Sequence, residues 1–398
     1  MYKLLLVAKS SYRRVYIILL LTACLMMTSV ISAQEPTIER LATGLQNPRG
    51  IAVMPDGRLL VAQSGTGFYS RNESRRTGSL SVFDDVNGDG DYDDEGEIIP
   101  IVSNIATYNS LTLFETGLDE VNGINDIVLL DDGRLFFSKD EPAPGISPED
   151  LAFADTGIFW VDSSGGDVTR IINRPATINA IDYDAENDIF YLAESGLDRL
   201  LAMTPDGEIL QEVQLNLLAH DQHPVPAGLT FDPNTGEVLV ALFSGLIPDY
   251  YGIVLTFMPG DAKIIRFNPE TGDISDEITG LTTAVDVAID EHGNIFVVEL
   301  TKLWASEVMP PDFPLLDPDT PPDSGGYVRF SGRVSMYPAD GGDPVILADG
   351  LDEPTNVTYH EGALYISVGQ GTPGRSIVTR DGLTQITGEI YRITNFLP

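Results

Sequence analysis

The chain has a single cysteine, Cys24, among 398 residues. It sits in the apolar front end, so the folded part has no disulfide and must be held by packing or a bound cation. Basic residues are also scarce: 23 Lys+Arg stand against 60 Asp+Glu, a formal net charge of −37. Lys3, Lys9, Arg13 and Arg14 all precede Val15, which leaves the remainder more acidic still. Such a surface repels phosphate backbones and anionic headgroups, which excludes nucleic acid as a partner. Histidine is the third scarcity. His220 and His223 flank Asp221 in AHDQHPVPAG, and a His-x-x-His pair away from a helix reads as surface loop before zinc site. His292 falls in a turn, and His360 ends a strand without an evident partner.

Long apolar runs are confined to the front. The basic start, the run Val15 to Ile31 and the small residues Ile31-Ser32-Ala33 predict a signal peptide over 1–33. The mature protein is then a single domain over 34–398, secreted or periplasmic, off the membrane after cleavage, and expected to be a monomer. An uncleaved anchor is one rival. A lipoprotein box, Leu21-Thr22-Ala23-Cys24, is a minor one, because the apolar run continues past Cys24.

What is abundant is one phrase. NPRGIAVMPDGRLLVAQ (47–63) is echoed by NGINDIVLLDDGRLFFSK (122–139) and TINAIDYDAENDIFYLAE (177–194). VPAGLTFDPNTGEVLVAL (225–242), TAVDVAIDEHGNIFVVE (283–299) and EPTNVTYHEGALYISV (353–368) complete the set. Each is an alternating strand, a turn rich in Asp, Asn and Gly, and a second alternating strand. A further strand pair follows each of the first five, whereas the sixth has only Gly388–Thr394. The unmatched strand, Thr37–Ala42, lies at the other end. The fold expected is all-β: a six-bladed β-propeller of four-stranded blades, closed by the N-terminal strand completing the last blade.

NPRGIAVMPDGRLLVAQSG, with repeats ending LAESG and VVEL, resembles the six-bladed TolB-like propellers related to NHL-repeat proteins, and most of all the exported ScyD/ScyE family. The resemblance covers about 37–394. It implies the fold strongly and a reaction weakly, since similar turns occur in lactonases, dehydrogenases and binding propellers.

Strand order divides the loops between two faces. The acidic loop DVNGDGDYDDEGE joins the third and fourth strands of blade one. Asp85, Asn87, Asp89, Asp91 and Asp93 alternate around Gly90, as a calcium loop requires, although Gly96 stands where a bidentate Glu belongs and Glu97 follows it. A structural Ca2+ is expected there. The loops between second and third strands, five of them long, gather on the opposite face, which makes that mouth the expected working face.

Aligned repeats place Arg49, Asn125, Asn179, Ala227, Val285 and Thr355 at one level of the mouth, with Asp126, Asp286 and Asn356 one position later. The second strands end at Gln63, Lys139, Glu194, Leu242, Glu299 and Val368. Among these, Arg49, Asn125, Asp126, Lys139, Asn179, Glu194, Asp286, Glu299 and Asn356 are the ligand-binding candidates. A structural ion pair, such as Lys139 with Glu194, is the other reading. The loop 300–331, with Trp304, Met309, Phe313, Leu315 and Leu316, offers an apolar lid or docking edge.

The favoured function is non-catalytic binding of a small molecule, glycan or protein partner through this face. The alternative is a metal-dependent hydrolase. Gluconolactonase-like propellers hold a divalent metal on Glu, Asn and Asp, and Asn125, Asn179, Glu194, Asp286 and Glu299 are the residues that would supply such a set. Against this, Asn-Pro-Arg-Gly stands where that family places a metal-binding Glu before Gly-Pro. The histidine that quinone-dependent sugar dehydrogenases need near the first repeat is absent too.

Overall fold

The computed structural model describes residues 35–70, 72–110, 119–141, 155–174, 176–244, 258–302, 327–379 and 382–396. The expected signal peptide and the aromatic stretch around Trp304 and Phe313 lie outside them. Among the described residues no helix is long and apolar enough to cross a membrane.

Six antiparallel four-stranded sheets follow one another around a ring. Blade one is Pro48–Val53, Leu59–Gln63, Gly78–Phe83 and Ile98–Ile105. Blade two is Ile124–Leu129, Arg134–Lys139, Gly157–Asp162 and Thr169–Asn173, and blade three Ala180–Asp184, Ile189–Glu194, Arg199–Met203 and Ile209–Gln214. Blade four is Pro226–Asp232, Glu237–Leu242, Ala262–Phe267 and Ile274–Leu281, and blade five Ala284–Ile289, Ile295–Glu299, Gly332–Tyr337 and Val345–Leu351. Blade six joins Asn356–His360, Ala363–Val368 and Gly388–Thr394 to Thr37–Leu45. The register of that last pair runs from Thr37↔Thr394 to Leu45↔Gly388, so the chain closes its own ring.

Each strand's burial follows its distance from the axis. Second strands such as Leu59–Gln63 are buried at every position, because both faces meet neighbouring blades. The outermost strand Ile209–Gln214 alternates, with one face on a blade and one in water. The cores therefore lie between blades: Leu60, Ala62 and Leu80 of blade one pack against Leu135, Phe137 and Phe159 of blade two. The recurrent hairpin turn has a local cause. In Met54–Arg58 the Met54 N–H donates to the Arg58 carbonyl at 2.8 Å, and Gly57 takes φ +89°, which a side chain would resist.

Two small ladders were not legible in the repeats. Tyr108–Asn109 pairs with Val121–Asn122 in the link between blades one and two, and Ser376–Thr379 pairs with Gly382–Gln385 in the last long loop. Both sit among the long connections that crown one face.

Candidate binding site

Innermost strands of adjacent blades pack side by side around the axis, and their starting residues rim one mouth. A cavity of about 240 Å³ opens there. All six residues that the repeats place at one level, Arg49, Asn125, Asn179, Ala227, Val285 and Thr355, line it, and Asn356 joins them. Connections between strands supply more of the lining: Tyr108, Ser110, Glu120 and Asn122 from the blade one–two link, Phe243, Leu300, Tyr327 and Gln370 from the crowning loops. Apart from Asn122, which opens the second repeat, no repeat contains these residues, so alignment of the hairpins had no signal for them.

The cavity has two kinds of wall. Phe243, Leu300 and Tyr327 form a small apolar cluster with Val225, Ala227 and Val285, on the side of blades four and five. Phe243 and Tyr327 meet edge to face, with ring centroids 6.1 Å apart. The other wall is polar. Arg49 donates from Nη2 to the Val121 carbonyl at 2.8 Å, and Asn125 Nδ2 to the Ile178 carbonyl at 3.1 Å. Tyr108 donates to Asp140 Oδ2 at 2.5 Å, an oxygen that also accepts from Thr177 Oγ1 at 2.7 Å. Burial, reinforced by the Asp140 charge, pushes the Tyr108 phenol well above its ordinary range. Burial likewise raises the Glu120 carboxyl, against the pull of Arg49, and lowers the Arg49 guanidinium, against Glu120 and Glu353.

The second-strand ends behave differently. Glu194 is fully buried and gripped by two arginines: Arg174 Nε donates at 2.8 Å, and Arg199 reaches it from the next strand. Glu299 accepts from the Thr282 N–H at 2.7 Å and from Arg333 Nε at 2.5 Å. Lys139 pairs with Asp155 at 2.7 Å and Glu141 at 3.3 Å, not with Glu194. None of the three lines the cavity. These ends stand one strand spacing, about 4.8 Å, farther from the axis, where the links between blades cover them.

Asp126 and Asp286 go to a second place. They face Asp182 across a separate axial cavity of about 310 Å³. Each carboxylate staples its blade to the next: Asp126 accepts from the Ile181 N–H at 3.0 Å, Asp182 from Phe231 at 2.7 Å and Asp286 from Val357 at 2.8 Å. Gly50 and Gly228 leave room for this, since a Cβ there would meet Asp126 Oδ1 at 2.5 Å and Asp286 Oδ1 at 2.3 Å. Asp182 was missed because it falls two positions off the aligned column. Burial pushes all three carboxyls up, Asp126 to about 7, and repulsion from neighbouring carboxylates adds to it at Asp126 and Asp286.

That shift has a sign. A carboxyl held protonated by the fold above the unfolded value contributes stability below about pH 4, and loses it as pH rises through its folded pKa near 7. Asp126→Asn should therefore flatten the fall in melting temperature between pH 4 and 7. Thermal melts across that range check it; an unchanged slope would mean Asp126 titrates normally.

A divalent metal of the kind the gluconolactonase resemblance implies does not fit the mouth. The cavity offers Glu120 as its one carboxylate, and a guanidinium, Arg49, in place of the first acidic donor. Of Asn125, Asn179, Glu194, Asp286 and Glu299, only the two asparagines reach the cavity. Among the described residues no three His, Cys, Asp or Glu side chains converge to hold a metal. The histidines are dispersed as well: His220 meets Asp261 at 2.9 Å and His223 meets Asp198.

In the acidic loop, both oxygens of Asp85 accept backbone N–H groups, from Gly88 at 2.7 Å and Gly90 at 3.0 Å. Asp89 accepts from Asp91 N–H at 3.3 Å, and Asp91 from Asp93 N–H at 3.0 Å. Asn87 Nδ2 bonds Asp94 at 2.6 Å, and buried Glu97 accepts from Val86 N–H at 3.1 Å and Asp94 N–H at 3.2 Å. Asp93 accepts the Thr43 N–H at 2.8 Å, tying the loop to the closing strand.

Fold and site together define a six-bladed β-propeller with a small amphipathic cavity at one mouth. The family profile described as SMP-30/Gluconolactonase/LRE-like region matches residues 42–285, and the chain belongs to that family. No curated protein matches it. Among solved structures it is similar to a glucose dehydrogenase, at 12% identity and TM-score 0.51, covering 89% of this chain and 99% of that one. A luciferin-regenerating enzyme is similar at 11% identity and TM-score 0.51, over 90% and 95%. A protein of unknown function from Bacteroides thetaiotaomicron is similar at 11% identity and TM-score 0.52, over 90% and 76%. At these identities the likeness is one of fold.

Proposed function

We propose that this propeller is a non-catalytic binding protein that takes a small molecule into the mouth cavity. The observation that carries this reading is the makeup of the cavity. It is closed on one side by aromatic and aliphatic groups, is rimmed on the other by Arg49 and several amides, and has one carboxylate. A cavity near 240 Å³ suits a small molecule better than a peptide or glycan chain. A finer kinship with the acidic, exported ScyD/ScyE-type propellers is part of the proposal, supported by the repeat phrases, and so is export.

Filling the cavity is the direct test. Ala227→Trp should abolish binding of any ligand found by thermal-shift screening, while leaving the fold unchanged by circular dichroism. The bound ligand should be recovered unaltered by mass spectrometry. Family membership favours a second reading, hydrolysis of a lactone with a divalent cation. Metal-stimulated turnover of sugar lactones, lost in Ala227→Trp, would replace the binding proposal with that one.

The acidic loop is proposed as a structural calcium site on the far face, supported by its alternating oxygen donors and by Gly90 at φ +98°. Calcium should raise the melting temperature by several degrees, and Asp85→Ala with Asp89→Ala should remove that rise without changing ligand affinity. An equal response to calcium in the double variant would refute the assignment.

A further inference from the structure

Arg49 is out of keeping with the rest of this molecule. Among the described lysines and arginines, every one except Arg49 and Arg75 has a carboxylate in ion-pair reach. Arg75 is exposed, so water solvates it. Arg49 is turned into the mouth cavity, and its Nε is buried without a hydrogen-bond partner. In a chain with 60 acidic residues, an inward arginine without an ion-pair partner carries a desolvation cost that the Val121 carbonyl and the more distant charges of Glu120 and Glu353 offset only in part. Gln370, 3% exposed and lining the same cavity, also leaves its Oε1 without a partner.

Guanidinium is the side chain best matched to a planar carboxylate, which it binds through paired N–H groups. Arg49 has its Nε proton free, and Nη2 spends only one of its two on Val121. Opposite lies the apolar wall of Phe243, Leu300 and Tyr327. We propose that the mouth is a metal-independent carboxylate site, in which Arg49 anchors the head of a small acid whose apolar body lies on the Phe243–Leu300–Tyr327 wall. This rests on the reading of the mouth as a binding site and names what it takes. Gln370 Oε1 then accepts from a hydroxyl or N–H on the ligand. The charged and titratable groups around the head are Arg49, Glu120, Glu353 and Asp140, with the phenols of Tyr108 and Tyr327. Glu353 is tied to Arg329 at 3.3 Å, whereas Glu120 is pushed upward by burial and becomes a donor to the ligand once protonated. Affinity should therefore rise as pH falls, until the ligand's own carboxyl protonates.

The experiment is calorimetry on the full mature chain with benzoate and 4-methylpentanoate, their primary amides, and glucose, with and without EDTA. The acids should bind at least tenfold more tightly than the amides, about 1.4 kcal/mol, with EDTA without effect and glucose silent. Arg49→Gln should erase the preference and melt no lower than the native protein, since it removes an unpaired charge; Arg49→Lys should keep part of the preference. Amides binding as well as acids, or neither acid binding, overturns the carboxylate assignment. Loss of binding in EDTA overturns metal independence. Acids that still bind Ala227→Trp place the site elsewhere and overturn the mouth reading itself.

Discussion

Deleting residues 34–45 is expected to make the protein aggregate on expression. The strand Thr37–Leu45 pairs along its length with Gly388–Thr394, and that pairing joins the two ends of the chain within one sheet. Without it, Gly388–Thr394 becomes an unpaired edge with a row of free N–H and C=O groups, a template for intermolecular pairing. Leu41, Ala42 and Leu45 are also lost from the cluster they form with Ile51, Leu59, Val61 and Ile390. Removing three buried apolar side chains together costs several kcal/mol, on the order of the whole stability of a domain. Sedimentation and thermal melting of the deletion variant check this. A soluble variant with native melting temperature would show that the seam is dispensable.

The second large effect concerns Glu194. Glu194→Gln should lower stability by about 3 kcal/mol, and leave affinity for a mouth ligand within twofold. The carboxylate is wholly buried, and two arginines, 12% and 20% exposed, converge on it. Neutralising it leaves both cations facing an amide. Glu299→Gln should behave alike but more mildly, because Arg333 is its one cationic partner and is 27% exposed. Denaturant melts measure the first part and titration with the carboxylate probes the second. A tenfold loss of affinity without loss of stability would return Glu194 to the binding surface, where its place at a strand end suggests it belongs.

The difference between Glu194 and Arg49 shows where reading the chain by itself succeeds. Six hairpins with period-two alternation and an orphan strand at each end determine the propeller, its closure and which loops share a face, because strand pairing and face alternation are local consequences of the pattern. The same alignment brings Arg49, Asn125 and Asn179 to one level, and all three line one cavity, since innermost strands of neighbouring blades stand in register around the axis. Local pattern does not carry what approaches from another blade. Glu194 and Arg49 are both charged residues at strand ends, yet Arg174, from the link that follows blade two, closes over Glu194 beside Arg199 of its own blade, while no carboxylate comes into ion-pair reach of Arg49 among the described residues. Asp126 and Asp286 were read into the mouth, but one residue's step along a strand sends them to the axial cavity, against backbone N–H groups of the next blade. Tyr108, Glu120, Phe243, Tyr327 and Gln370 reach the mouth along links that repeat nothing. Periodicity thus determines the scaffold, and the long-range contacts made when the ring closes decide which polar groups are spent on one another and which are left for a ligand.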